Sequence, residues 1–155
     1  MSAFAEFTVL GEPKGQPRPR AFARKMGDKY VARVYNAATA EGWKSAIAAE
    51  AAKHRFATPV TGPVKVLMLL QFPRPKSHFR TGKHAHELRL DAPYFHTKKP
   101  DADNCAKAGV DTLTQIGGFW LDDCQVCRLS VHKTYAEPGC SGRTTFQIEE
   151  IEGTP

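Results

Sequence analysis

The sequence predicts a small α/β fold of the α+β type, with a mixed β-sheet of about five strands and two main helices. Two observations predict it. Short stretches of alternating or continuous apolar residues recur from one end of the chain to the other, and two longer stretches space their apolar residues by three or four. A length of 155 residues suits a single domain over 1–155 that needs neither disulfides nor metal to hold its core.

The strands are placed by alternation and by turn residues. We expect them over 4–10, over 63–72, over 125–135, over 143–151, and as a hairpin within 21–35 that turns at Met26-Gly27-Asp28. The stretch 63–72 carries apolar residues on both faces, which is typical of a central strand. Residues 73–100 hold four prolines and no clear period, so we expect a long basic loop that contacts substrate.

Two stretches predict helices. The first is 37–56, with Asn36 or Thr39 as its cap and an apolar stripe of Trp43, Ile47 and Ala51. The second begins near 101–103 and ends at Gly117-Gly118 because paired glycines are well suited to ending a helix. Its buried stripe is Ala106, Val110 and Leu113.

The charge of the chain favours a polyanionic partner. The formal net charge is +6 and the pI is about 9.3. The cations are clustered in 14–29 and 74–99, as expected for contacts to the phosphates of DNA. The candidate DNA-binding residues are Lys14, Arg18, Arg20, Arg24, Lys98 and Lys99. No apolar run is long enough to cross a membrane and the N-terminus does not resemble a signal peptide, so we expect a cytoplasmic protein with no membrane partner.

The stretch K-K-P-D-A-D-N at 98–104 places two carboxylates at the start of the second helix. Helix capping explains one such acid completely and two adequately. The alternative is a metal site. Asp103, Lys107 and Asp111 share one helix face, away from the apolar stripe. A second acidic pair, Asp122-Asp123, follows the bulky trio 119–121, which could anchor it to the core.

Phosphodiester hydrolysis would use these residue types. Mg²⁺ prefers oxygen ligands and binds a few carboxylates together with water and phosphate. It can lower the pKa of an attacking water, and a nearby lysine can stabilise charge on the phosphate. Asp101, Asp103 and Asp123 fit the metal-binding role, and Lys107 fits the lysine role.

The run K-K-P-D-A-D-N-C-A-K-A-G-V-D-T-L, followed by G-F-W-L-D-D-C-Q-V, resembles the RusA family of Holliday junction resolvases, which are common in phages and prophages. The likeness is close over 97–135 and looser before it. It implies a RusA-like fold, an intertwined or C₂ homodimer, and a nuclease that binds four-way DNA junctions and nicks opposite strands. It implies Mg²⁺ as the cofactor, with Mn²⁺ as the alternative ion, and no small-molecule cofactor.

The resemblance also implies roles for single residues. Asp101, Asp103 and Asp123 fall on the metal-binding positions of the family motif, and Lys107 falls on its catalytic lysine. Asn104, Asp111 and Asp122 match motif positions whose role is to assist.

Three other functions stay open at the level of sequence. The first is a metal-dependent nuclease for other branched DNA, such as flaps or forks. The second is a DNA-binding module without catalysis, in which the carboxylates only cap and bridge. The third is a zinc-stabilised interaction domain built on Cys105, Cys124, Cys127 and Cys140, although buried or incidental thiols explain these residues better.

Overall fold

The computed structural model describes residues 2–17, 20–35 and 40–153. The strands are β1 (Phe4–Leu10), β2 (Arg20–Met26), β3 (Lys29–Tyr35), β4 (Val64–Phe72), β5 (Val126–Tyr135) and β6 (Arg143–Glu150). The helices are α1 (Glu41–Ala51) and α2 (Ala102–Ile116), and short 3₁₀ turns lie at 52–54, 76–78, 82–84 and 123–125. The predicted α+β class is confirmed.

Four strands form the main sheet, in the order β1-β6-β4-β5. The β4–β5 pair is parallel, whereas β6 pairs antiparallel with both β1 and β4, so the sheet is mixed. The interior position predicted for 63–72 is confirmed, since β4 has a partner on each side. Every second residue of β4, from Val64 to Phe72, is buried. The parallel neighbour β5 brings the end of the 119–125 segment alongside α2.

The hairpin is found where the alternation places it, but it does not join the main sheet. Strands β2 and β3 pair only with each other, in a separate two-stranded sheet with its turn at Gly27-Asp28. Gly27 has a φ of 64°, which suits glycine in such a turn. The predicted sheet of about five strands is therefore a sheet of four plus a separate hairpin, in which every described side chain of 23–32 is exposed.

Both helices pack on the sheet through their predicted stripes. In α1, Trp43, Ile47 and Ala51 are buried, as expected. The helix begins after Ala40 without a side-chain cap, and the caps expected at 36 and 39 lie outside the described residues. The stripe of α2 is also confirmed, since Ala106, Val110 and Leu113 are buried. Gly117, with a φ of 69°, ends α2 at the predicted place.

Residues 73–100 form an ordered segment built of two 3₁₀ turns and isolated bridges. The His96 ring stacks on Phe72 with ring centroids 3.8 Å apart, and the His96 amide donates to the Lys133 carbonyl at 3.0 Å. Burial and the charge of Lys133 lower the pKa of His96, so the ring is neutral in this contact. These contacts fix the end of the segment to β5, directly before α2.

The close approach of α2 to the sheet depends on a glycine. A Cβ at Gly109 would lie 2.6 Å from Met68 Cε and 3.2 Å from Phe146 Cε1. We expect Gly109→Ala to lower the free energy of unfolding by up to about 2 kcal/mol, because overpacking costs about 1–3 kcal/mol and the helix propensity of alanine offsets about 1 kcal/mol of it. Gly42 of α1 is the control: nothing lies within 4 Å of its Cβ position, so Gly42→Ala should be neutral or stabilising. Equal effects in urea unfolding would contradict the tight contact.

No helix in the described parts of the chain is both long and apolar enough to cross a membrane.

The four cysteines have unlike surroundings: Cys105 is buried in α2, Cys140 is half-buried, and Cys124 and Cys127 are exposed. Burial raises the pKa of the Cys105 thiol to about 11. The four thiols thus do not share one environment suited to a structural zinc ion.

Candidate active site

The start of α2 is held against β5 by a hydrogen bond from a lysine. Lys133 Nζ donates to the Lys98 carbonyl at 2.6 Å, and the Tyr135 amide donates to the Tyr94 carbonyl at 3.1 Å. The chain from 94 to 98 therefore runs along the end of β5. Asp101 follows at the N-cap of α2, so its position is set by the sheet and by the helix together.

The carboxylate of Asp101 does not cap the helix. Asp101 has the extended backbone of an N-cap residue, with φ −72° and ψ 146°, but its side chain accepts no capping hydrogen bond. Its Oδ2 lies 3.3 Å from Lys99 Nζ instead, and the side chain is about half exposed. The capping alternative is therefore wrong for the Asp101 side chain, and the carboxylate faces solvent in an exposed ion pair with Lys99, of a kind that contributes little to stability.

An open cleft of about 340 Å³ lies between α2 and the start of β5. It brings together Asp103, Lys107 and Asp111 from one face of α2 with Asp123 from the 3₁₀ turn. The shared face predicted for the first three residues is thus confirmed. Three carboxylates and one ammonium line a cleft that opens to solvent, so oxygen ligands for a cation and a positive charge for a phosphate lie close together. Asp101 is not among the residues lining this cleft.

Two residues contact the same carboxylate oxygen of Asp111. Lys107 Nζ lies 3.3 Å from Asp111 Oδ2, one helical turn away. Gln16 Nε2 donates to the same oxygen at 3.2 Å, and the Gln16 amide donates to the Asn104 carbonyl at 3.1 Å. Neighbouring Gly15 allows this approach, because a Cβ there would lie 3.0 Å from Pro100 Cβ. The proline-rich loop is thereby fastened to the face of α2 that carries the cleft.

The two acids of the second pair, Asp122 and Asp123, have different surroundings. Asp122 accepts from the Cys124 amide at 2.9 Å, and this hydrogen bond is the main cause that lowers the pKa of Asp122. Asp122 also forms a capping box with Gln125. The Gln125 amide group donates to the carbonyls of Val60 and Gly62, at 2.9 Å each, which fixes the turn to the body of the chain. Asp122 is thus a cap, while Asp123 is directed into the cleft.

The trio that precedes this pair anchors it only in part. Phe119 and Trp120 are buried, and Trp120 Nε1 donates to the Thr114 hydroxyl at 3.0 Å. Leu121 is 68% exposed, contrary to the expectation that all three bulky residues would pack on the core. Two buried rings next to Asp123 are sufficient to set the position of the turn relative to α2.

The donor set of the cleft fits a hard cation better than zinc. Asp103 and Asp123 offer carboxylate oxygens in one open cleft, which suits Mg²⁺ and its water ligands. Among residues 2–17, 20–35 and 40–153, no three His, Cys, Asp or Glu side chains are grouped closely enough to hold a metal ion by themselves. A cation bound here would complete its shell with water and substrate oxygens, as Mg²⁺ usually does.

The candidate DNA-binding cations lie at the surface wherever the structure describes them. Lys14, Arg24, Lys98 and Lys99 are exposed, and Lys14 is 3.6 Å from Glu12. The side chain of Arg20 and the whole of Arg18 lie outside the described residues. Of the aromatic residues in basic loops, Phe95 is 61% exposed and packs edge-on against Tyr94, so it does not act as a buried anchor.

Two features of the cleft could not be found in the sequence. Gln16 lies 95 positions from Asp111, in a loop whose composition indicates only irregular structure. The apolar wall of the cleft comes from Ala106 and Val110 of α2 and from Val126 and Leu129 of β5, which pairs with β4. No local pattern in the chain signals either contact.

The fold and the cleft together define a mixed α+β protein whose cleft is lined by three carboxylates and one lysine. The family model described as "Endodeoxyribonuclease RusA" matches residues 11–148, and the chain belongs to this family. A relative described as "Uncharacterized protein YqaN" from Bacillus subtilis (strain 168) is 37% identical over 148 residues. That match covers 94% of this chain and 96% of the relative.

Gln16 gives a prediction for the cleft. We expect Gln16→Ala to lower kcat for DNA cleavage about fivefold with little change in KM, since one hydrogen bond of about 1 kcal/mol that orients Asp111 is lost. Single-turnover kinetics would measure the effect. Gln147→Ala is the control, because Gln147 also bonds a carboxylate, that of Glu6 at 2.6 Å, but on the exposed face of the sheet. An equal loss in both variants would contradict a role for Gln16 in the site.

Proposed function

We propose that the chain is a structure-specific endodeoxyribonuclease that resolves four-way (Holliday) DNA junctions in recombination and repair, acting as a single nuclease domain by Mg²⁺-dependent, symmetric phosphodiester hydrolysis. The observation that carries this proposal is the cleft that gathers Asp103, Lys107 and Asp123 in a chain of the RusA family. The same acids on a basic chain would repel DNA unless a cation lay between them.

In this proposal each group of the cleft has a distinct task. Asp103 and Asp123 of the cleft, together with Asp101 at the N-cap of α2, would hold the cation, and Mn²⁺ is the alternative ion. The bound cation supplies Lewis acidity and a more acidic water. Lys107 lies one helical turn from Asp103 and stabilises negative charge on the phosphate oxygens. Asp111 accepts from Gln16 and pairs with Lys107, so it holds the ammonium group in place.

A homodimer follows from the proposed substrate. A four-way junction has approximate two-fold symmetry, and two matched nicks need two matched sites, which a C₂ dimer supplies. Lys14, Arg18, Arg20, Arg24, Lys98 and Lys99 are the proposed phosphate contacts. Binding should weaken steeply with salt, because each phosphate contact contributes about −0.9 to the slope of log K against log salt concentration.

A nicking assay tests the proposal. End-labelled four-way junction, flap and linear duplex of matched sequence are incubated with the chain, with and without Mg²⁺. Symmetric nicks confined to the junction and dependent on Mg²⁺ are expected. Equal cutting of the flap would identify a broader nuclease for branched DNA. Binding without cutting, over a range of Mg²⁺ and Mn²⁺ concentrations, would show a DNA-binding module and overturn the proposal.

A further inference from the structure

The hairpin of β2 and β3 is the part of the chain that the cleft leaves unexplained. Its strands are paired along seven residues each and form a sheet of their own. All the described side chains from 23 to 32 are exposed, on both faces of the ribbon. Tyr30 is 73% and Met26 is 60% exposed. An isolated two-stranded ribbon is marginally stable in water, so exposed apolar residues on such a ribbon indicate that something else covers it.

The chemistry of the ribbon indicates what covers it. Residues 20–35 contain five Lys or Arg residues and one acid, Asp28. Near the tip each cross-strand pair places one cation opposite one apolar residue: Arg24 opposite Val31, Lys25 opposite Tyr30, and Lys29 opposite Met26. The cations suit phosphates, and the apolar side chains suit sugars and thymine methyl groups. A second copy of the same basic ribbon is a poor occupant because like charges would face each other.

The cations are divided between the two faces. Directly opposed residues of an antiparallel pair point to the same face, and successive pairs alternate. Arg24 and Lys29 therefore lie on one face of the ribbon, and Lys25 lies on the other. A ribbon that lay flat on a polyanion would use one face only. Cations on both faces suit a ribbon that enters a groove, where each face meets the phosphates of one strand.

The ribbon is also joined by a short stretch of chain to a residue that contacts the cleft. Gln16, which bonds Asp111 and Asn104 of α2, lies four residues before the start of β2. Seven residues at about 3.4 Å each give the ribbon a reach of roughly 20 Å. This reach is comparable to two-thirds of a turn of duplex DNA, whose major groove admits a two-stranded ribbon.

We propose that the β2–β3 hairpin is a DNA-binding arm that inserts between the two strands' phosphates in the major groove of a duplex arm next to the cleaved site. This inference rests on the proposed function, because it takes branched DNA as the partner. It adds a contact to the duplex part of the substrate, separate from the cleft and independent of any metal.

Binding measured in EDTA tests the arm without cleavage. The probe is a linear duplex, followed by the four-way junction, titrated at several salt concentrations. We expect the triple variant Arg24→Ala/Lys25→Ala/Lys29→Ala to bind the duplex at least tenfold more weakly and to lower the salt slope by about 2–3. A matched triple variant, Lys44→Ala/Lys53→Ala/Lys65→Ala, removes three lysines of α1, the following turn and β4, and should change neither. An unchanged affinity and slope in the arm variant would overturn the proposal.

Single substitutions distinguish a ribbon inserted into the groove from a ribbon that lies flat on the DNA. Lys25→Ala and Lys29→Ala should each lower the salt slope by about one, since the two residues occupy opposite faces. An effect of Lys29→Ala alone would overturn insertion. Guanine N7 atoms line the major groove, so the wild-type chain should protect them from dimethyl sulfate and the triple variant should not. Circular dichroism of each variant checks that it is folded, and the exposure of the three residues predicts that it is.

Two further results distinguish the DNA-binding arm from a dimer contact and from the nuclease activity on which it rests. A change of oligomeric state in the triple variant, seen by sedimentation, would identify a second copy as the occupant and overturn the arm. Arm-dependent binding without any Mg²⁺-dependent nicking by the wild-type chain would overturn the nuclease proposal and retain the arm. Mg²⁺-dependent nicking by the wild-type chain, with binding that does not depend on the hairpin, would overturn the arm and retain the nuclease proposal.

Discussion

Asp103→Asn is expected to reduce junction cleavage by about a thousandfold or more and to leave junction binding unchanged or tighter. Asp103 lines the cleft with Asp123 and Lys107, and it is the first of three residues spaced by four on the exposed face of α2. The amide is a weaker ligand for a hard cation than the carboxylate. Losing about 4 kcal/mol of transition-state stabilisation corresponds to this factor. Binding should not suffer, because a negative charge near the DNA backbone is removed.

The control distinguishes a metal-binding acid from a structural one. Asp91 is an exposed acid on the loop of 73–100, paired with Arg89 at 3.0 Å, and Asp91→Asn should leave cleavage unchanged. Gel-shift binding and nicking are measured on the same junction for both variants. A parallel collapse of binding and cleavage in Asp103→Asn, with a lowered melting temperature, would show that Asp103 serves the first turn of α2 rather than the chemistry.

The elements that the sequence predicted well are those whose pattern is local. Helix α2 has 15 residues with a stripe over 106–113 and ends at a glycine with positive φ, so both its buried face and its end could be predicted. The same holds for β4, where alternate residues from Val64 to Phe72 are buried. The hairpin turn at Gly27-Asp28 also follows from its own residues. Each of these depends on contacts within one element or with one continuous apolar surface.

The features that the sequence did not predict depend on contacts between distant parts of the chain. The separate position of the hairpin is decided by what the main sheet can bury, and alternation alone does not contain that information. Leu121 has the same apolar character as Phe119 but is exposed, because the capped turn of Asp122 directs it outward. Asp101 occupies an N-cap without capping. The residue types of these positions were read correctly from the sequence, but their contacts in the folded chain could not be predicted from it.

The acidic residues of the motif show which features of the site could be predicted from the sequence. Asp103, Lys107 and Asp111 could be placed on one face from their spacing, and the cleft brings Asp123 to that face. The metal-binding roles of Asp101, Asp103 and Asp123 stay a prediction. The cleft contains two of these three acids, and Asp111 is the third acid that lines it. Comparing Asp101→Asn with Asp111→Asn in Mg²⁺ titrations would show which of them raises the metal concentration needed for cleavage.

Lys107→Ala is expected to lower kcat for cleavage by about a hundredfold to a thousandfold, the range seen when one charge-stabilising donor is removed. The Lys107 ammonium lies 3.3 Å from Asp111 and is 63% exposed, so its loss leaves no buried group unpaired and should not unfold the chain. Lys53→Ala, which removes an equally exposed lysine that is paired with Glu50 at 3.1 Å, is the control.

The division of the effect between kcat and KM decides what Lys107 does. A group that binds the phosphate equally in the ground state and the transition state changes KM and leaves kcat unaltered. A group that meets charge only as it develops lowers kcat, which is the expected result. Asp111→Asn should reproduce part of this loss, and the double variant should be little worse than Lys107→Ala, since both changes disturb the same ammonium group. Fully additive losses would mean that Asp111 acts on the substrate by itself and does not hold Lys107.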